Sequence, residues 1–168
     1  MKTLYVIRHA KSSWEDTDLP DFDRPLNERG KRDAPRMGKR LKEKSVHPDL
    51  VLSSPAKRAF STSKRIADTL GYPKDAIKTE RELYHADEED ILSVIRRIND
   101  KYSTVFIFGH NPGLTDFVNS LSRDEAMNIP NLPTCGIAAF SFDIDSWKKT
   151  DFGKGNFLFY DYPKSKED

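Results

Sequence analysis

The stretch LYVIRHAKSSW, Leu4 to Trp14, decides how this chain is read. Leu4, Tyr5, Val6 and Ile7 show no polar alternation, so Thr3 to Ile7 reads as a short strand buried on both faces. It runs straight into Arg8 and His9, followed by Ala10, Lys11, Ser12 and Ser13. A strand covered on both faces belongs to a parallel sheet flanked by helices. In such sheets ligands bind beyond the carboxyl ends of the strands. Cations and hydroxyls gathered at a strand end are therefore expected to bind something.

Outward from this strand, Ala10 to Pro25 is polar and carries prolines, which makes it a loop. A helix is expected from about Asn27 to Lys44, with Ala34, Met37 and Leu41 about one turn apart. Pro35 and Gly38 lie within it and predict a late start or a kink. Leu50–Leu52 is a second buried strand. Pro55 suits the first turn of a helix that runs to Leu70 and stops at Gly71. Ile77–Leu83 reads as a third strand, and Asp87 caps a helix carrying Ile91, Val94, Ile95 and Ile98. Thr104–Phe108 (TVFIF) is the central fourth strand, and Gly109 to Pro112 turns the chain into a helix ending near Leu121. Strands at Ile137–Phe142 and Asn156–Tyr160 complete the sheet, leaving 164–168 as a mobile tail after a domain spanning 1–163. Alternating strands and helices predict a single α/β domain, a three-layer α/β/α sandwich around a mostly parallel sheet.

Composition narrows the function. The 168 residues suffice for one core, and 28 basic against 27 acidic side chains leave no global field for nucleic acid or membranes. The lone Cys135 forms no internal disulfide, which suits a reducing compartment. MKTLYVIRHAK is too short in apolar residues for a signal h-region, and no apolar run approaches the ~20 residues of a membrane span. A cytoplasmic monomer is the expectation. The aromatic residues Phe140, Phe142, Phe157, Phe159 and Tyr160 read as strand core or edge, with no basic groove to make them a base-stacking platform.

Three strand ends carry the chemistry. The first ends on Arg8-His9. The second ends on Ser53-Ser54-Pro55, with Arg58 in the next helical turn. The fourth ends on Gly109-His110-Asn111-Pro112, at another helix start. Two arginines and two histidines thus meet at one sheet edge. Arginine presents permanently charged, forked donors that match phosphate oxygens. Helix N-termini add free N–H groups. A neutral imidazole among them is a competent nucleophile toward phosphorus.

RHA at 8–10, SSPAKRAFST at 53–62 and GHNP at 109–112 resemble the histidine phosphatase superfamily, whose fold is shared with cofactor-dependent phosphoglycerate mutases. RHAKSSW and RPLNERG (24–30) are most similar to its SixA-type phosphohistidine phosphatase branch. The likeness extends over about residues 3 to 142, and Ala10 stands where the usual motif has glycine. It implies a phosphoglycerate mutase-like fold and a phosphoryl group taken up by His9 and surrounded by Arg8, Arg58 and His110. No metal or other cofactor is implied, because two arginines and a protonated or donating His110 replace its charge; no nucleotide motif is present. Ser12 or Ser13 could donate to the phosphate, and Asn27 and Arg29 fall near the mouth. Ser54 and Thr62 read as braces of the Arg58 helix, and His47 as a plain loop residue.

The general acid is the open point. In mutase-like relatives a glutamate before a glycine-rich insertion protonates the leaving oxygen. Here ERELYHAD (80–87) is short, leaving Glu82, His85 and Asp87 as candidates, with His85 first by register. An alcohol leaving group needs that proton, whereas an imidazole, with a pKa of roughly 6.5, leaves more readily. A weak acid and an uncapped site favour phosphohistidine on a signalling or phosphotransfer protein. The rivals are a broad phosphomonoesterase for small metabolites, a mutase and a non-catalytic phosphate binder. Lys31, Arg32, Arg36, Lys39, Arg40, Lys42 and Lys44 form a basic helix face, either solvated or steering acidic partners.

Overall fold

In the computed structural model, which describes residues 1–165, the strand that opens the chain lies inside the sheet. β1 (Lys2–Arg8) sits between β4 (Thr104–Gly109), parallel to it, and β5 (Ile137–Phe142), antiparallel. β2 (Leu50–Ser53) pairs with β4 on its far side, β3 (Lys78–Thr79) forms one edge, and β6 (Asn156–Asp161) forms the other. The order β3-β2-β4-β1-β5-β6 makes the first four strands mutually parallel.

Both faces are covered, as the absence of polar alternation predicts. Tyr5, Ile7, Phe106 and Phe108 point into one apolar layer with α1 (Glu28–Glu43) and α2 (Lys57–Leu70). Leu4, Val6, Val105 and Ile107 point into the other with α3 (Glu88–Arg96) and α4 (Gly113–Leu121). Burying a branched side chain of this kind stabilises the fold by roughly 1.5–3 kcal/mol.

Several boundaries differ from the sequence reading. α1 runs through Pro35 as one helix, although that residue withholds the N–H due to the Lys31 carbonyl. Gly38 lets α1 press on α2, since a Cβ there would lie 2.9 Å from Thr69 Cβ. α2 starts at Lys57 rather than Pro55, and α4 at Gly113. The expected strand 77–83 shrinks to two residues. Only Lys78 and Thr79 pair with β2, both exposed, before Arg81–Leu83 coils into a 3-10 turn that buries Leu83 against α3. A polar edge segment has little apolar surface to hold it in the ladder.

Arg40 is no part of a solvated face. It is 3% exposed and donates to the carbonyls of Tyr162 (2.8 Å) and Pro163 (2.9 Å), tying α1 to the end of the sheet. Within the expected tail, Lys164 and Ser165 belong to a 3-10 turn, and 166–168 lie outside the described residues. Among the described residues, no helix is long and apolar enough to cross a membrane.

Candidate active site

Sheet register brings the two histidines together. The β1–β4 ladder ends with Arg8 opposite Gly109, so His9 and His110 follow at the same level. The His9 amide donates to Gly109 O (3.2 Å) and its carbonyl accepts from Cys135 N (3.0 Å). Their rings lie 5.2 Å apart between centroids.

His9 is 7% exposed, and its Nδ1 is 2.7 Å from the Ala10 carbonyl oxygen. A carbonyl can only accept, so Nδ1 carries the ring hydrogen and Nε2 keeps a free electron pair. Burial pushes the His9 pKa down to about 3; the Ala10 hydrogen bond opposes this shift, while Arg58, Arg8 and Arg24 add to it. The imidazole is therefore neutral near pH 7. Ala10 is fully buried. Its amide donates to Thr62 Oγ1 (2.9 Å), whose hydroxyl donates to the Arg58 carbonyl (2.8 Å). Thr62 thus links the backbone next to His9 to the helix that carries Arg58.

His110 is also driven down to about 3, first by burial and then by His9 and Arg58. Its Nε2 is 2.8 Å from Ser54 Oγ, which already accepts from the Ala56 amide. The Ser54 hydroxyl can donate to Nε2 or accept from it, and the His110 hydrogen sits on Nδ1 when it donates.

Arg58, 5% exposed, donates through Nη1 to the Asp21 carbonyl (2.8 Å) and through Nη2 to Asp21 Oδ2 (3.0 Å). Arg8 donates to the Leu132 carbonyl (3.0 Å), and burial, then Arg58, lower its pKa. Three buried nitrogens of this cluster have no hydrogen-bond partner: Arg8 Nε, Arg58 Nε and His110 Nδ1. An unmet buried donor costs roughly 1–3 kcal/mol, so such groups call for an explanation. An oxyanion accepting from all three, with Ser54 then donating to His110 Nε2, supplies one.

Strand-end reasoning missed Asp21, which pairs with Arg58, and Arg24, which pairs with Asp21. Arg24, 7% exposed, donates to Ser12 Oγ (2.8 Å), Ser13 O (3.2 Å) and Asp21 Oδ1 (3.2 Å). The exposed Trp14 ring covers its guanidinium at 3.5 Å. The Asp21 carboxylate also accepts from the Tyr84 hydroxyl (2.7 Å). Its burial, which by itself raises the pKa, is outweighed by Tyr84, Arg58 and Arg24, which hold it well below the usual carboxylate range. The one signal in the sequence was the length of the 10–25 loop, since long ordered loops in compact domains are commonly functional.

The remaining candidates separate. Ser12 Oγ is taken up by Arg24. Asn27 caps α1, accepting from Gly30 N (2.9 Å), and does not line the cleft. Glu82 pairs with Arg97 (2.9 Å) and is likewise absent from the cleft wall. His85 and Asp87 do line it, in a cleft of about 450 Å³ shared with Asp21, Arg58, His110 and Asp116. The His85 ring stacks 3.9 Å from Tyr84, on a backbone held at φ 57°.

The two depressed imidazoles set an acid sensitivity. Between pH about 3 and 6.5 the unfolded chain binds more protons than the folded one, so stability falls as pH falls through that window. Asp21 adds a loss in the same direction only below its ordinary 3.8. Melting temperature should therefore drop steadily from neutral pH toward pH ~4, and less steeply in His110→Asn. Equal slopes in the two proteins would contradict the burial of a neutral His110.

Comparisons with known proteins agree with this fold. An uncharacterised chloroplastic protein of Arabidopsis thaliana is 31% identical over 156 residues, 88% of this chain and 70% of its own. The structure of the protein histidine phosphatase SixA bound to tungstate superposes with a TM-score of 0.81 at 24% identity, over 96% of this chain and 97% of that one. A SixA-type protein from Agrobacterium tumefaciens gives 0.82 at 27% identity, over 96% and 98%. The family model for the histidine phosphatase superfamily, branch 1, matches residues 4–113, taking in all three strand-end motifs, and the chain belongs to that superfamily.

Proposed function

We propose that the protein is a metal-independent phosphatase that works through a phosphorylated His9, with phosphohistidine in proteins as its substrate. The observation that carries this reading is the trio of unpartnered buried donors, Arg8 Nε, Arg58 Nε and His110 Nδ1, beside an imidazole whose Nε2 is left bare. That set suits a trigonal-bipyramidal phosphoryl group, because phosphoryl transfer needs positioning and stabilisation of charge on equatorial oxygens. The tungstate complex of SixA, a tetrahedral oxyanion in a chain of the same fold, supports an anion here.

In the first step His9 Nε2 bonds to phosphorus as the substrate's P–N bond breaks, the electron pair leaving with the departing nitrogen. Water then attacks phosphorus in line, the bond to Nε2 breaks with its electron pair returning to that nitrogen, and dihydrogen phosphate leaves with the water's oxygen and both its hydrogens. The Ala10 carbonyl holds the hydrogen on Nδ1 throughout, so His9 departs from phosphorus as a neutral imidazole rather than an anion. Arg8, Arg58 and His110 hold the oxygens in both steps.

The second reading, hydrolysis of small phosphate esters, is favoured by one observation: His85 stands in the cleft wall, where it could protonate an alkoxide. A panel of phosphohistidine peptides and phosphate esters, run with and without chelator, separates the two. The expected result is a kcat/KM for phosphohistidine well above that for any ester and unaffected by the chelator. Faster turnover of esters, with steep loss in His85→Ala, would replace the first reading with the second.

A further inference from the structure

The cleft above the phosphate socket is acidic. Its wall carries Asp21, Asp87 and Asp116, while Arg58 is its sole arginine or lysine. Asp21 is occupied by Arg58, Arg24 and Tyr84. Asp87 spends one oxygen, Oδ1, on the Asp90 amide (2.8 Å) as the α3 cap, which leaves the other. Asp116 stands exposed in the first turn of α4. The two are mounted on touching supports: a Cβ at Gly113 would overlap the Ala86 carbonyl oxygen, so the α4 start and the 85–87 segment pack backbone to backbone. Arg58, only 5% exposed and with an Nε that has no hydrogen-bond partner, lines the same cleft.

We propose that Asp87 and Asp116 form a carboxylate lip that selects nitrogen-linked heterocyclic leaving groups by holding a proton on the ring nitrogen not bonded to phosphorus. This inference rests on the phosphohistidine reading and supplies what that reading lacks, a substitute for the general acid. A phosphoimidazole whose second nitrogen is bare must leave as an imidazolate, a poor leaving group. Protonated there, it leaves as a neutral imidazole whose conjugate acid has a pKa of about 6.5. A carboxylate facing that N–H favours the charged, reactive form. The His9–phosphorus bond forms, the P–N bond breaks with its pair going to the departing nitrogen, and no proton moves. The lip thus does for the substrate ring what the Ala10 carbonyl does for His9. The same carboxylates repel phosphorylated acids, which disfavours mutase-type substrates. Besides the lip, the titratable groups facing this space are Asp21, Arg58, His85 and His110, with Tyr84 packed against the two histidines.

The test uses Asp87→Asn, Asp116→Asn and the double variant; asparagine preserves the α3 cap. A phosphohistidine peptide and p-nitrophenyl phosphate are the probes. In the double variant the ratio of their kcat/KM values should fall about tenfold or more, and the alkaline limb of kcat for the peptide should move about one unit to lower pH. A constant ratio, or a limb that stays in place, overturns the lip while leaving the phosphohistidine reading intact. A wild-type protein that hydrolyses the ester but not the peptide overturns both.

Discussion

His9→Ala should lose about 10⁴-fold or more in kcat on any substrate, since removing a nucleophile ends the covalent route rather than slowing it. The expected partner result is chemical: after incubation with a phosphodonor and rapid quench, the wild-type chain gains the mass of one phosphoryl group on His9 and the variant gains none. The variant should remain folded. The amide and carbonyl of residue 9 keep their bonds to Gly109 and Cys135, and Ala10 keeps its bond to Thr62. The deletion therefore removes a reactive nitrogen from an otherwise fixed backbone. Wild-type turnover in this variant would mean that phosphorus is attacked by another group and would end the covalent role of His9, whereas a wild-type chain with neither turnover nor phosphoryl uptake would favour a phosphate binder.

The second large effect is expected at Arg58. Arg58→Lys keeps a positive charge but loses the planar fork, and with it the Nε donor that has no partner inside the protein. Loss of one preorganised donor to a transition-state oxyanion typically costs about 10²–10³ in kcat. The inhibition constant for tungstate should rise alongside, because the same N–H would grip a resting oxyanion. Arg58 also holds Asp21, so the variant should release the 3-10 turn at Asp21–Asp23 and become more open to proteolysis there. A lysine variant with wild-type kcat and tungstate inhibition would mean that charge alone matters and that Nε faces no substrate oxygen.

Much of the framework was legible because it obeys local rules. β1 and β4 are continuous apolar runs buried on both faces, and the Ile91, Val94, Ile95 stripe after an Asp cap gave α3. The strand-end motifs were legible as well, since sheet topology places strand ends together whatever their separation in sequence. The rest was set by tertiary contacts that leave no periodic trace. Arg24 sits in a loop, and it is held there because Trp14 covers it and Ser12 and Asp21 accept from it. Arg40 looked like one cation among seven on a surface helix, yet it reaches the carbonyls that end the sheet. Asn27, read as near the mouth, has the backbone of its own helix as partner. The edge segment 77–83 has only polar residues between Ile77 and Leu83, so it leaves the ladder after Thr79 for a 3-10 turn, and His85 and Asp87 follow that turn in the cleft wall.

The position of β1 between β4 and β5 also bears on how such a protein can change over generations. His9 and His110 follow directly on two strands paired in the middle of the sheet, whereas Asp21 and the 85–87 segment, which line the cleft, lie outside it. Drift in those fringes can retune which phosphorylated molecule is welcomed without disturbing the bond-making machinery beneath. The fold thereby separates inheritance of a reaction from inheritance of a diet.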